Sequence, residues 1–420
     1  MKRLLPLLLV TTTGLSANEL STNWDMTLSA SHQTYRSSPW SGEPVESESQ
    51  SLDAVIDVEV NWKEWTALIA AKGENLISNK YGAEYKGELV IQELFYQNWL
   101  DIGDYSIDYT IGKVRLDWGV GYGYRPLDIF KPYRRNPVGV QVEEGAGTLL
   151  ASYFSADAEW SVVYTDSSWV DQQASELSQA TQQQGIGLRR YALMGDYEWQ
   201  WVAYYDDVRH GLVGSTLVGV LGSTTAFHLS GLYQRHYQAF EIQDSYSPVS
   251  LQQSDHGYQA LAGVNWSSAS GQTVIAEYWF DSRSWDKNDW DKARQRAQTL
   301  RTSPVTSRLA SSYARGYGNY NLVQHNLLVH WTLDSSAWSQ WDWSKSYLWL
   351  SDVTPTLDVM ISPQDGGVSV TQWLKYNSYD SGDASLEMEV AARFYGGNSE
   401  SAYSSIGDKY MILFNIKGKF

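Results

Sequence analysis

Tyr410–Phe420, YMILFNIKGKF, closes the chain on an aromatic residue. Counting back in twos from Phe420 gives Gly418, Ile416, Phe414, Ile412 and Tyr410; Lys419, Lys417, Asn415, Leu413 and Met411 fall between them. A strand sends alternate side chains to opposite faces. This stretch therefore has one aromatic and aliphatic face and one face with three polar groups. Taken alone, it also fits the last strand of an ordinary soluble sheet.

The other end of the chain narrows the choice. Met1–Ala17 reads MKRLLPLLLVTTTGLSA. Lys2 and Arg3 precede the apolar run Leu4–Val10, interrupted by Pro6, and Leu15-Ser16-Ala17 offers small residues for cleavage. That is the pattern of a secretory signal peptide over residues 1–17, too short to span a bilayer as a helix. An ordinary N-terminal helix is the alternative. With no Cys, neither a disulfide nor a lipoprotein anchor is possible. Beyond residue 17 no run reaches the roughly 18 uncharged apolar residues of a transmembrane helix, so export past the inner membrane is expected.

Together with such a leader, the terminal stretch resembles the sorting signal of Gram-negative outer-membrane β-barrels. The resemblance rests on Tyr410, Ile412, Phe414, Ile416 and the final Phe420; Gly418 departs from it, where a larger apolar residue is usual. It implies that the barrel-insertion machinery reads these positions. Composition points the same way. Mean hydropathy is −0.39, as expected where apolar and polar residues interleave. Twenty Trp and 29 Tyr against nine Phe is an excess of rings with a polar handle, which settle at membrane–water interfaces. The net charge is −17, or −19 without Lys2 and Arg3, which argues against a nucleic-acid partner. It suits loops that meet outer-membrane lipid, lipopolysaccharide and divalent cations.

Residues 18–420 read as one domain of period-two segments separated by polar turns. Ser51–Trp62 is the clearest: Leu52, Ala54, Ile56, Val58, Val60 and Trp62 alternate with Ser51, Asp53, Asp57, Glu59 and Asn61, with Val55 the exception. Eighteen such segments are found, from Asn23–Gln33 to the terminal strand, including Tyr105–Leu116, Gln272–Asp281, Tyr320–Leu333 and Thr356–Ile361. Short links alternate with longer ones, among them 73–87, 117–146, 236–256 and 282–319. This asymmetry is that of transmembrane barrels. The fold class expected is all-β, an 18-stranded transmembrane antiparallel β-barrel, with 16 strands as the alternative. The Trp-rich stretch 334–354 is read as a partly helical connection on the short-turn side. Few residues precede the first strand, so no plug domain is expected. A barrel of this size has an aqueous lumen, and Asp53, Asp57, Glu59, Glu387, Glu389 and Arg393 have the parity to line it.

Gly112–Thr148 carries the densest chemistry. It leaves its strand through Trp118-Gly119-Val120-Gly121-Tyr122-Gly123 and holds Arg115, Asp117, Arg125, Asp128, Lys131, Arg134, Arg135, Glu143 and Glu144. Alternate glycines permit a sharply folded backbone. General porins are similar in one respect: a long loop folds inward and sets opposed charges across the lumen. An inward loop over about 119–145 is the expectation drawn from that likeness; a salt-bridged surface loop is the alternative. The glycines lack the helix and Lys-Ser/Thr of a phosphate loop. A second loop, Trp285–Tyr317, is rich in Lys and Arg, with a helical composition over Asp289–Leu300. It reads as a lipopolysaccharide contact, an anion gate or a solvated helix.

No HExxH motif occurs among the seven His, and no cofactor, metal ligand or catalytic residue is assigned. His228 with Ser230 and His256 with Asp255 are the pairs an outer-membrane enzyme could use. The function expected is a porin-like channel for small hydrophilic solutes. The alternatives are an enzyme acting on lipid or peptide, and a non-conducting scaffold or receptor.

Overall fold

A computed structural model describes residues 20–41, 46–78, 82–130, 142–170, 175–244, 246–303 and 305–420. The signal-peptide assignment at 1–17 lies outside them. Eighteen strands form one sheet, each antiparallel to the next, and the last pairs with the first. The barrel is closed, which removes the edges a sheet would otherwise expose.

The strands are β1 Leu20–Tyr35, β2 Glu48–Trp62, β3 Trp65–Ser78, β4 Gly82–Ile102, β5 Tyr105–Val114 and β6 Ala146–Phe154. Then come β7 Ala158–Asp166, β8 Gln184–Met194, β9 Tyr197–Asp206, β10 Leu212–Leu221, β11 Thr225–Glu241 and β12 Ser250–Ser267. The set ends with β13 Gln272–Asp281, β14 His325–Leu333, β15 Val353–Ile361, β16 Gly367–Asp380, β17 Ser385–Gly397 and β18 Asp408–Lys419. The number and order are those expected from the alternation. No helix among the described residues is long and apolar enough to cross a membrane.

Alternation sorts the side chains as read. On β2, Leu52, Ile56, Val58 and Trp62 are exposed on the outer face, while Val55 is buried on the inner one. Val55 packs with Ala70 and Val90 of the neighbouring strands and with Val142, so the one break in the pattern is an inner contact. On β18, Ile412 and Phe414 are exposed, as is Phe420 just beyond it, and Leu413 and Asn415 are buried. Phe420 seals the seam: it exchanges two backbone hydrogen bonds of 3.0 Å with Trp24, and their rings stack at 4.2 Å. Such a pair contributes about 0.5–1.5 kcal/mol beyond its burial. Gly418 is explained here, because a Cβ would lie 2.8 Å from the Phe420 ring.

Several loops are shorter than the sequence suggests. The stretches 73–87 and 236–256 are mostly strand: β3 and β4 pair as far as Ser78↔Gly82, and β11 and β12 as far as Glu241↔Ser250. These extensions mix polar groups such as Glu74, Glu84 and Lys86 with apolar ones such as Leu76 and Ile77 on both faces, so hydrophobic alternation does not mark them. Conversely, β14 starts at His325 rather than Tyr320, and β5 ends at Val114 rather than Leu116. Residues 335–352 form three short 3₁₀ turns and no strand.

Candidate functional site

The segment between β5 and β6 makes the contacts on which a site can be built. It begins with Arg115, whose backbone N–H and guanidinium donate to Glu93 of β4 at 2.9 and 3.1 Å. At Trp118 its carbonyl accepts from Gln200 of β9 at 2.7 Å. Gly121 sits at φ +120°, in the region that favours glycine. The backbone then turns so that the Tyr122 and Gly123 N–H groups donate to the two oxygens of Glu277 on β13, at 2.6 and 2.8 Å. A Cβ on Gly123 would meet Leu328 at 2.5 Å, so only glycine lets the backbone approach so closely.

Glu277 also lies 2.7 Å from His228 of β11, and its side chain has no exposed surface. Tyr122 Oη is 2.8 Å from His330 of β14, which pairs with Asp358 of β15 at 2.6 Å. Tyr124 Oη lies 2.6 Å from Gln259 and 2.7 Å from Asp281, while Arg283 donates twice to Asp281 at 2.8 Å. Burial, then the Asp281 charge, pushes the Tyr124 phenol well above its usual range. Apolar packing follows the same path. Trp118, Leu127 and Ile129 bury against Val163, Val202, Tyr204, Leu212 and Leu232, and Tyr124 against Leu261, Trp279 and Leu328.

The charged residues named from sequence sort into local pairs. Arg125 donates to both oxygens of Asp117 at 2.9 and 2.7 Å and lies 3.9 Å from Asp128. Asp128 accepts from the Gly119 N–H at 2.7 Å. Burial, then the neighbouring Asp117, raises its carboxyl to about 8. Glu144 accepts from Lys113 of β5 at 2.6 Å, both side chains being buried. Arg115 likewise meets Glu93 and not Asp117. Glu143 is half-buried. Lys131, Arg134 and Arg135 lie outside the described residues.

Two further groups lie on the wall. On β2, Asp57 accepts from Gln92 at 2.5 Å, Asp53 from Ser51 at 3.0 Å and Glu59 from Asn61 at 2.8 Å. Glu389 accepts from Asn415 at 2.7 Å and Lys417 at 3.3 Å, Glu387 lies 3.7 Å from Lys417, and Arg393 donates to Thr371 at 3.0 Å. The terminal positions Tyr410, Ile412, Phe414 and Ile416 occupy one outer register with Phe420, and Tyr410 packs on Phe394 at 6.2 Å.

The long-loop end carries its own core. The helical stretch expected at Asp289–Leu300 is helix α1, Lys287–Arg301, opened by a capping box between Asp286 and Asp289. It is not a solvated helix: Trp290, Ala293, Ala297 and Leu300 bury against Trp40, Trp285 and Tyr313. Its arginines donate to carbonyls of other loops, Arg301 to Ser38 at 3.1 Å and Arg296 to Asp244 at 2.7 Å. Neither candidate enzyme pair forms. His228 meets Glu277, Ser230 Oγ has no hydrogen-bond partner among the described residues, and Asp255 meets His236 at 2.5 Å.

Sequence reasoning missed Glu277, Asp281, Arg283, His330 and Tyr124. The signal was present in part, since Glu277, Trp279 and Asp281 share the inner register of β13 between outward Ala276, Tyr278 and Phe280. Their partners on the segment, Tyr122, Gly123 and Tyr124, are however more than 150 residues away in the chain.

The closed 18-stranded antiparallel fold is shared with solved bacterial structures. The barrel is similar to Pseudomonas aeruginosa OccK7 (OpdD), with a TM-score of 0.53 at 8% identity over 96% of this chain and 98% of that one. It is also similar to Acinetobacter baumannii OccAB3, at 0.52 and 10% over 96% and 99%, and to P. aeruginosa OccK11 (OpdR), at 0.51 and 7% over 95% and 96%. No protein-family model matches the chain, and no curated protein matches it in sequence.

Proposed function

We propose that this protein is an outer-membrane channel for small hydrophilic solutes, its selectivity set by the segment between β5 and β6. The observation that carries the reading is the path of residues 115–130. A chain that leaves β5 and bonds to β9 and β13, with Tyr122 against β14, has to cross the interior of a closed barrel. It would narrow the lumen while leaving the strands to close without it. Charges held there bias ions and dipolar solutes. Asp53, Asp57 and Glu59 on one wall, and Glu387, Glu389 and Arg393 on another, would line the path.

Residues 1–17 would direct export, and Phe420 with its alternating neighbours would address the chain to the insertion machinery. The long-loop end would face lipopolysaccharide, and the start of β1 and the end of β18, together at the seam, would face the periplasm. The likeness to porins in fold, and the separation of the two His pairs, support a channel over an enzyme. The packed core over the long-loop mouth favours one second reading, a barrel shut on that side that serves as receptor or scaffold.

Single-channel recording on the folded barrel separates them. A channel gives steps whose size depends on solute, and shortening 119–145 with the flanking strands intact raises conductance. Neutralising Arg134 and Arg135 together shifts selectivity toward cations. A folded barrel that never conducts, with or without the segment, overturns the channel reading in favour of the scaffold.

A further inference from the structure

The Trp-rich connection 335–352 is not explained by a channel. It is the one long link at the short-turn end, where the others span a few residues. Its direction is fixed by what it covers. Leu333, Val353 and Pro355 share the outer register of β14 and β15, in line with Val329 and, across the ladder, with Leu374. Val329 and Leu374 are exposed, whereas Leu333 and Val353 are only 4% and 8% exposed and Pro355 is buried. The connection therefore folds back over the outside of the barrel and does not hang beneath the lumen. It is pinned there: Asp334 N–H donates to Gly271 at 2.8 Å, Trp338 Nε1 donates to Val353 at 2.8 Å, and Ala337 and Leu350 are buried.

With its inner side committed, the connection presents Trp343, Tyr347, Leu348 and Trp349 outward, Leu348 being 82% exposed. These groups continue a ring of exposed aromatics at the same end of the barrel, formed by Trp62, Trp65, Tyr105, Tyr379 and Phe420. Such rings settle at the headgroup level of a bilayer. Charge adds little: Lys345 is paired with Asp342 at 2.8 Å, and Asp334 and Asp352 are the other charged groups. A surface of this kind holds to lipid by burial of apolar rings, not by attraction to anions.

We propose that residues 335–352 form an interfacial anchor, lying against the barrel wall and embedded in zwitterionic phospholipid headgroups of the periplasm-facing leaflet. The proposal rests on the outer-membrane reading. The absence of cysteine allows a direct test with the whole folded protein in phosphatidylcholine vesicles. Single cysteines at Leu348→Cys, at Leu374→Cys on the outer wall and at Ser381→Cys in the β16–β17 turn carry the same bimane label. Quenching by iodide and by lipids brominated at shallow or deep acyl positions is then measured.

The expected result is a Leu348 label several-fold less open to iodide than the Ser381 label and quenched more by shallow than by deep bromine. Adding anionic lipid should leave it unchanged. A Leu348 label as open to iodide as Ser381 overturns the proposal and leaves an aqueous protein-docking face. Protection from iodide without bromine quenching also overturns it, in favour of contact between barrel copies. If the Leu374 label escapes bromine quenching as well, the outer-membrane reading itself fails. A quenched Leu374 with an unquenched Leu348 removes the anchor alone.

Discussion

Replacing Glu277 by Ala removes the acceptor that holds residues 122–123 against β13. The Tyr122 and Gly123 N–H groups donate to it at 2.6 and 2.8 Å in a position with no access to water. A hydrogen bond to a charged group contributes about 1.5–3 kcal/mol, and an orphaned buried donor adds its desolvation cost. Two such bonds amount to about 3–6 kcal/mol, with neighbouring bonds adding incompletely. At about 1.4 kcal/mol per factor of ten, the docked-to-undocked ratio falls by roughly two to four orders of magnitude. Tyr124 and the packed Leu127 remain as anchors, so the segment should fluctuate, not leave. Planar-bilayer recording should show added current noise and larger substates, while the gel shift between unheated and boiled protein stays as in the parent. Glu277→Gln keeps one acceptor oxygen and should fall between. An Ala variant that folds and conducts with the parent's mean current and variance would refute this account of what holds the segment.

A second expectation concerns pH. Because the folded state raises the Asp128 carboxyl from its ordinary 3.8 to about 8, the folded chain binds this proton where the unfolded chain does not. The contribution is fully present below the unfolded value and is lost as pH rises through about 8. The segment should loosen progressively as pH rises from about 4 to about 8 and change little beyond, read as rising current noise. Asp128→Asn, neutral at every pH and able to accept from Gly119, should flatten that profile. A third expectation concerns the seam: Phe420→Asp loses the Trp24 stack and places a charge on the outer face, costing up to a few kcal/mol depending on depth. The yield of heat-modifiable barrel should drop sharply, and equal yields would make the terminal ring incidental.

Local pattern determined the class of fold. A strand's period of two depends only on backbone geometry, so Leu52 to Trp62 and Tyr410 to Phe420 declare an outer and an inner face without help from distant residues. Repetition then set the strand number, because each segment is bounded by its own turn. The pattern faded where polar and apolar residues mix on both faces, as at Glu74, Leu76 and Ile77, in the extensions of β3, β4, β11 and β12.

Pairing across the barrel was not legible. Arg125 and Asp117 lie eight residues apart, and their union could be read from proximity. Nothing local says that Tyr122, which follows β5, meets Glu277 and His330 on β13 and β14. That contact exists only once eighteen strands close and bring opposite walls within reach of one loop. The same holds for the Trp-rich connection. Its rings were visible in the sequence, but the burial of Leu333 and Val353, which shows which side of the wall they occupy, is a property of the closed structure. Chain order carries alternation between neighbours; closure alone decides what faces what across the interior, and so where the charges and the rings act.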